Sequence, residues 1–451
     1  MRTQAPETPV INPPPDDTPA ESGKPNVRSV RRPTAGLAFI FITLLIDVLG
    51  FGLIIPVLPK LVAGLAGGGP EVGAHVFGLL MAVFGLMQFL FSPILGGLSD
   101  RFGRRPVLLL SLLVSGLDYI LMALAPSLSW LFAGRVLAGI TGASFTAASA
   151  YIADISPPEK RAQNFGLIGA AFGVGFVLGP AVGGLLGSIS PRAPFWAAAA
   201  LSLLNGLYGF FILPESLSKE NRRAFTWRSA NPIGGLSILL RYRWVTVMAG
   251  SILLLALAQQ SLQSTWVLYT TYRFEWSELD NGLSLALVGL ASGLVQVLLV
   301  KALVDRIGER RAILWGLICN IAGFTGFALA TRGWMMLPVI LFWSLSGVAG
   351  PTTQSLISKQ YGADEQGAVQ GALASVQSLM GVAGPIIATW VFGYFTSAAA
   401  PVRIPGASFF LGAILVAGAA VLAARALRLG AGAVMAQPIT PGADASSTAS
   451  R

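Results

Sequence analysis

Two stretches of this 451-residue chain decide its architecture: DRFGRRPV, from Asp100 to Val107, and DRIGERRA, from Asp305 to Ala312. Asp100, Arg101 and Gly103 recur as Asp305, Arg306 and Gly308, each 205 positions later (305 minus 100). Gly179 and Pro180 return at the same offset as Gly384 and Pro385, and Gly139 and Gly142 return as Gly347 and Gly350, 208 positions on (347 minus 139). Three matches in near-constant register argue for a duplicated half.

The sequence around these stretches is apolar. Hydrophobic residues make up 54% and charged residues 11%, whereas a soluble domain carries about 25% charge. The mean hydropathy is +0.70. The apolar residues come in runs of roughly 20, the length a helix needs to cross a hydrocarbon core about 30 Å thick. Twelve runs are expected, near 36–58, 76–98, 107–125, 129–152, 164–187, 193–213, 244–270, 281–300, 312–331, 334–357, 368–395 and 406–427. Bilayer helices tolerate the 53 glycines, which let backbones approach closely. The expected fold is therefore an all-α integral membrane protein, twelve transmembrane helices in two six-helix repeats. Its bundles would span 34–213 and 244–428, joined by a cytoplasmic segment over 214–243. Residues 1–33 and 429–451 lack apolar runs and read as disordered cytoplasmic ends.

Positive charge sets the orientation. Arg28, Arg31 and Arg32 precede the first run, Arg101, Arg104 and Arg105 follow the second, and Lys301, Arg306, Arg310 and Arg311 flank the eighth and ninth. The opposite connections are sparse in Lys and Arg, so both termini are expected in the cytoplasm. The net charge of +10 follows from this topology facing an anionic leaflet, with no nucleic-acid partner required. The lone cysteine, Cys319, excludes a disulfide framework. One cysteine, one histidine and no clustered intramembrane acids leave an enzyme without its nucleophile, base or metal ligands. No metal site and no bound cofactor are expected.

Two acids fall inside apolar runs: Asp47 in the first and Asp118 in the third. A carboxylate at that depth costs roughly 2.5 to 3.5 kcal/mol on insertion scales, which marks it as functional by default. Removal from water disfavours the charged form, so such a group can exchange a proton. The structural alternative is a carboxylate satisfied by Thr43, Ser115 or Tyr119. Arg135, in GRVLAG of the fourth run, is a cation well inside a helix. It could switch the protonation of nearby carboxylates, or hold three helices in a static ion pair. Gln88, Gln259, Gln260, Gln263, Gln296 and Asn320 could line a cavity or bond between helices. Trp266 and Phe172 could stack on an aromatic ligand, and His75 reads as an external loop residue.

GGLSDRFGRRP, from Gly96 to Pro106, resembles the signature between the second and third spans of major facilitator transporters. That resemblance implies two halves flanking a midplane cavity and a cytoplasmic gate at Gly96, Asp100, Arg101, Gly103, Arg104 and Arg105. GAAFGVGFVLGPAVGG, from Gly169 to Gly184, is similar to the antiporter motif of that superfamily, carried here by Gly173, Gly179, Pro180, Gly183 and Gly184. LIDVLGFGLIIPVLP, the run from Ser99 to Tyr119, GRVLAGITGAS and WVLYTTYRFEW resemble the tetracycline efflux proteins, a group of inner-membrane drug:proton antiporters.

The resemblance implies export of a small amphipathic drug, tetracycline foremost, by alternating access, with the proton as coupling ion and antibiotic resistance as the outcome. It extends proton handling to Asp47, Asp118 and Arg135. It extends the substrate cavity to Asp47, Gln88, Asp118, Gln263, Gln296 and Asn320. A divalent metal would travel with the drug, and the protein would work as a monomer. Two positions depart from the family: Asn320 stands where its pumps commonly carry an acid, and Ser292 where some carry a histidine. Either coupling rests on Asp47, Asp118 and Arg135, or the substrate is not the metal-bound drug. A proton-coupled exporter of another compound is the rival, and an uptake symporter a weaker one.

Overall fold

The computed structural model describes residues 33–143, 145–225, 236–361 and 365–435. The arm over 1–32, the middle of the connecting segment and the tail from 436 lie outside the described residues. Among the described residues there is no strand, and twelve helices are long and apolar enough to cross a membrane. The first half contains α1 (Leu37–Ile54), α2 (Pro70–Phe102), α3 (Arg104–Leu124), α4 (Leu128–Ile155), α5 (Gln163–Ile189) and α6 (Ala193–Ile212). The second contains α7 (Arg243–Phe274), α8 (Glu278–Ile307), α9 (Glu309–Leu329), α10 (Gly333–Ser358), α11 (Val369–Thr396) and α12 (Ala407–Leu429).

The signature loops are shorter than the apolar runs imply. Asp100 and Arg101 belong to the last turn of α2, and Asp305 and Arg306 to the last turn of α8. Only a glycine separates α2 from α3 and α8 from α9. Gly103 has φ 106° and ψ 157°, and Gly308 has φ 81° and ψ 157°. That region is open almost only to glycine, so the same residue makes the same turn in each half. Each glycine N–H bonds back to the helix just ended, at the carbonyls of Ser99 and Val304. The C-terminal boundary also moves. The last helix continues to Met435, so Leu429 to Met435 are helical and not part of a tail.

Each half has its own apolar core. Phe39, Leu44, Leu112, Tyr151 and Ile152 fill one cluster of the first half, and Ile54, Phe77, Met122 and Phe195 fill another. Trp266, Phe324, Phe327, Phe392 and Phe409 centre the second half. Large apolar side chains point away from both cores, among them Leu110, Leu204, Phe211, Val297 and Ile414, each more than half exposed. An outward apolar shell around twelve such helices is the surface of a multi-pass membrane protein.

The halves touch along α2 with α11 and α5 with α8. Contact runs from the end opposite the Gly103 and Gly308 turns as far as the middle. Lys60 pairs with Glu278 at 2.5 Å, and the His75 ring stacks on Trp390 at 4.7 Å. A Cβ added at Gly85 would lie 2.7 Å from the Gly381 carbonyl oxygen. Toward the basic end the contact stops. Added Cβ atoms at Gly166, Gly169, Gly173, Gly293 and Gly371 would meet nothing within 4 Å. The two halves are closed at one end and parted at the basic end.

Candidate functional site

The first half gathers the charges. Asp118 on α3 is 1% exposed and Arg135 on α4 is 1% exposed, while Asp47 on α1 is partly buried. Gly134 brings the α4 backbone against Asp118, since a Cβ there would lie 3.0 Å from its Oδ1. Asp118 and Arg135 interact through space, and Tyr119 lies within electrostatic reach of Asp47, Asp118 and Arg135 together. The Tyr119 hydroxyl rests on Gly50, one turn along α1 from Asp47. Helical spacing produces this arrangement, because Asp47 and Gly50 share a face of α1.

Hydrogen bonding is incomplete in this group. Among the described residues, Asp118 Oδ1, Arg135 Nε and Arg135 Nη2 are buried without a hydrogen-bond partner, as is Thr43 Oγ1. The expectation that Thr43, Ser115 or Tyr119 satisfies the carboxylates is therefore not met at Asp118 Oδ1 among the described residues. Arg135 instead sits 5.8 Å over the Phe84 ring, which stacks on Phe51 at 6.0 Å. An aromatic face attracts a cation electrostatically yet accepts no proton from it. Phe84 lies in an unbroken apolar run and offered no sequence signal for this role.

The expected cavity residues divide between the halves. In the second half a cavity of about 430 Å³ is lined by Gln259, Gln260, Gln263, Gln296 and Asn320, with Ser292 beside them. Gln354 and Gln377 also line it, two glutamines inside apolar runs that the sequence reading could have flagged and did not. Asp47, Asp118 and Gln88 do not line this cavity; Gln88 packs its amide against Gly142 of α4, where an added Cβ would lie 3.2 Å from Nε2. Gln296 sits in a π-helical turn, Val295–Leu299, that interrupts α8. Such turns insert an extra residue and favour functional positions. Asn320 Oδ1 accepts a hydrogen bond from Trp343 Nε1 at 2.8 Å.

Two aromatic expectations separate. Trp266 is 2% exposed and donates to Ser284 at 3.1 Å, so it belongs to the core and not to the cavity. Phe172 is exposed and packs edge-on against Phe145. His75 is a residue of α2 packed against α11, not a loop residue, because α2 begins at Pro70.

At the basic end, Arg104 is the hub of the signature. It pairs with Asp100 at 2.5 Å and with Asp154 of α4 at 3.1 Å, and donates to Ser99 Oγ at 2.6 Å. Glu215, beyond α6, accepts from the Arg104 N–H at 2.8 Å and the Arg105 N–H at 3.3 Å. Arg105 donates to the Phe210 carbonyl, and Arg101 lies over Phe102. Gly96 faces Thr146 of α4 at 3.9 Å. Every one of these bonds stays within the first half and the start of its connecting segment.

On α5, Gly179 packs against Gly52 of α1 and Gly183 against the Leu53 carbonyl. Pro180 lies inside the helix. Gly184 faces the other half, where an added Cβ would lie 2.5 Å from the Glu278 carbonyl oxygen, while Gly173 faces open space. Among the described residues no group of three His, Cys, Asp or Glu could hold a metal ion.

Comparison with known proteins agrees with this architecture. The family model of the Major Facilitator Superfamily matches residues 40–385 and 260–446. The class C tetracycline resistance protein of Escherichia coli is 43% identical over 362 residues, 79% of this chain and 89% of that protein. The class G protein of Vibrio anguillarum is 39% identical over 79% of this chain and 89% of its own length. The crystal structure of the human organic anion transporter MFSD10 (TETRAN) aligns with a TM-score of 0.64 at 26% identity, covering 87% of this chain and all of that one. The chain belongs to the major facilitator superfamily, in the group of the tetracycline resistance proteins. It is a twelve-helix secondary transporter.

Proposed function

We propose that this protein exports tetracycline across the inner membrane in exchange for protons, with both termini in the cytoplasm and the basic end facing it. The arrangement described above is then the inward-facing state of an alternating-access cycle. The observation that carries the reading is the group of Asp47, Asp118 and Arg135 around Tyr119 inside the first half, in which Asp118 Oδ1 and two Arg135 nitrogens are buried with no hydrogen bond among the described residues. A carboxylate held near a guanidinium without a fixed bond can gain or lose a proton as the helices shift. A fully satisfied ion pair would not respond in this way. The named relatives supply the drug, and the positive-inside pattern supplies the sidedness.

Cells making the protein should tolerate more tetracycline, and energised everted vesicles should accumulate the drug until the pH gradient is collapsed. Accumulation indifferent to the gradient would remove proton coupling. Asp47→Asn and Asp118→Asn should each abolish accumulation while membrane insertion is unchanged. A second reading, export of a different amphipathic compound, is favoured by Asn320 and Ser292 in the cavity wall. A susceptibility screen across drug classes separates the two.

A further inference from the structure

The wall of the second-half cavity bears on the charge of what it binds, an inference that rests on the export reading above. Among the described residues, seven carboxamides line it, from α7, α8, α9, α10 and α11, and no Asp, Glu, Lys, Arg or His does. Its hydroxyls are largely turned back on the protein: Ser251 donates to the Ala419 carbonyl, Ser344 to Ile340 and Thr353 to Ala349. Asn320 Oδ1 is taken by Trp343. The side chains of Gln259, Gln260, Gln263, Gln296 and Gln377 form no hydrogen bond with another described residue. Each of these five offers one acceptor and two donors to a ligand.

Carboxamides of this kind match carbonyl and hydroxyl edges. They match a metal chelate poorly, because their carbonyls can offer a divalent ion neutral oxygens but no carboxylate, and a net charge held away from water needs a counter-charge. The intramembrane carboxylates belong to the other half and do not line this wall, and Asp118 there already interacts with Arg135. Position 320 concentrates the point. Its side chain has the shape of an aspartate, keeps the Trp343 bond an aspartate would also accept, and carries no charge.

We propose that this cavity binds its substrate free of divalent metal, as the neutral or zwitterionic form of a polyoxygenated fused-ring molecule read by the glutamine amides. Exchange of such a molecule for one proton moves net charge. The membrane potential therefore drives export alongside the pH gradient.

The test uses everted vesicles containing the full chain, labelled tetracycline and radioactive manganese. Expected results are drug accumulation unchanged within about twofold when excess EDTA is present, and no manganese entering with the drug. A tenfold fall in EDTA, with manganese accumulating in proportion to drug, would overturn the proposal. The Asn320→Asp variant should keep its fold and become stimulated by manganese. If Asn320→Asp is as indifferent to metal as the parent, the assignment of metal selection to this wall fails. No accumulation with or without metal would instead sink the tetracycline reading, and this inference with it, a result distinct from metal-dependent uptake.

Discussion

Gly103 and Gly308 are the residues at which sequence repetition becomes geometry. Both sit at positive φ, with ψ 157°, and any side chain there is strained by about 1–3 kcal/mol. Their surroundings differ. An alanine Cβ at Gly308 would meet nothing within 4 Å, whereas one at Gly103 would run into the Glu215 carboxylate and lie 3.0 Å from Arg222 Nη2. Glu215 is the acceptor that holds the backbone N–H groups of Arg104 and Arg105. Gly103→Ala should therefore cost distinctly more than Gly308→Ala, and the melting temperatures of the two variants in detergent would show it. Equal losses would mean that the Glu215 clamp contributes nothing. A companion change, Arg104→Ala, strips the hub from Asp100, Asp154 and Ser99. Its partners are partly exposed, at 43% and 24% of their side-chain surface. Solvent screening holds the expected loss to about 1–3 kcal/mol, below that of a fully buried pair. The recurrence of Asp, Arg and Gly was legible in the sequence. Glu215 was not, because it lies 111 positions from Arg104 with no pattern linking them.

At the scale of the helix, α5 shows how one glycine-rich motif serves two purposes. Gly184 allows α8 to approach closely, while Gly173, three turns nearer the basic end, faces open space. Small residues at helical spacing are an interface signal in membranes, yet the sequence did not show which of them touch the other half. The state of the transporter decides that. Gly184→Val should force the closed end apart and cut transport at least tenfold. Gly173→Val should leave this fold, parted at the basic end, and its melting temperature intact, yet block transport if the exposed flank of α5 must close against the second half. A Gly173→Val protein that transports normally would show that this flank never becomes an interface. The π-turn at Val295–Leu299 was hidden for a different reason. It depends on a single extra residue accommodated by neighbouring helices, and hydropathy is blind to it. The twelve spans themselves were legible because a bilayer imposes a length and a polarity on every crossing helix.

For the whole molecule, the contrast between a closed end and a parted end is the feature that predicts behaviour. Ala74 of α2 is fully buried, packed into the core cluster of the second half, and Gly169 of α5 is uncovered. The single native cysteine, Cys319, is buried, so a thiol reagent meets little background. Gly169→Cys should react rapidly with a maleimide supplied from the basic side, while Ala74→Cys should react only as the opposite end opens. Lys60 and Glu278 tie that end together at 2.5 Å, but Lys60 is 62% exposed. An exposed pair is worth at most about 1 kcal/mol, and salt weakens it further. Lys60→Ala should therefore speed the labelling of Ala74→Cys by no more than about fivefold, with the gap between variant and parent closing as salt is raised. A much larger acceleration would make the ion pair the principal lock. No acceleration would leave closure to the apolar and glycine contacts of α2 with α11 and α5 with α8, where His75 and Trp390 already stack. The sequence placed His75 merely in an external loop and gave Lys60 no partner. That they meet Glu278 and Trp390 is a property of the closed end, formed only when the two duplicated halves come together.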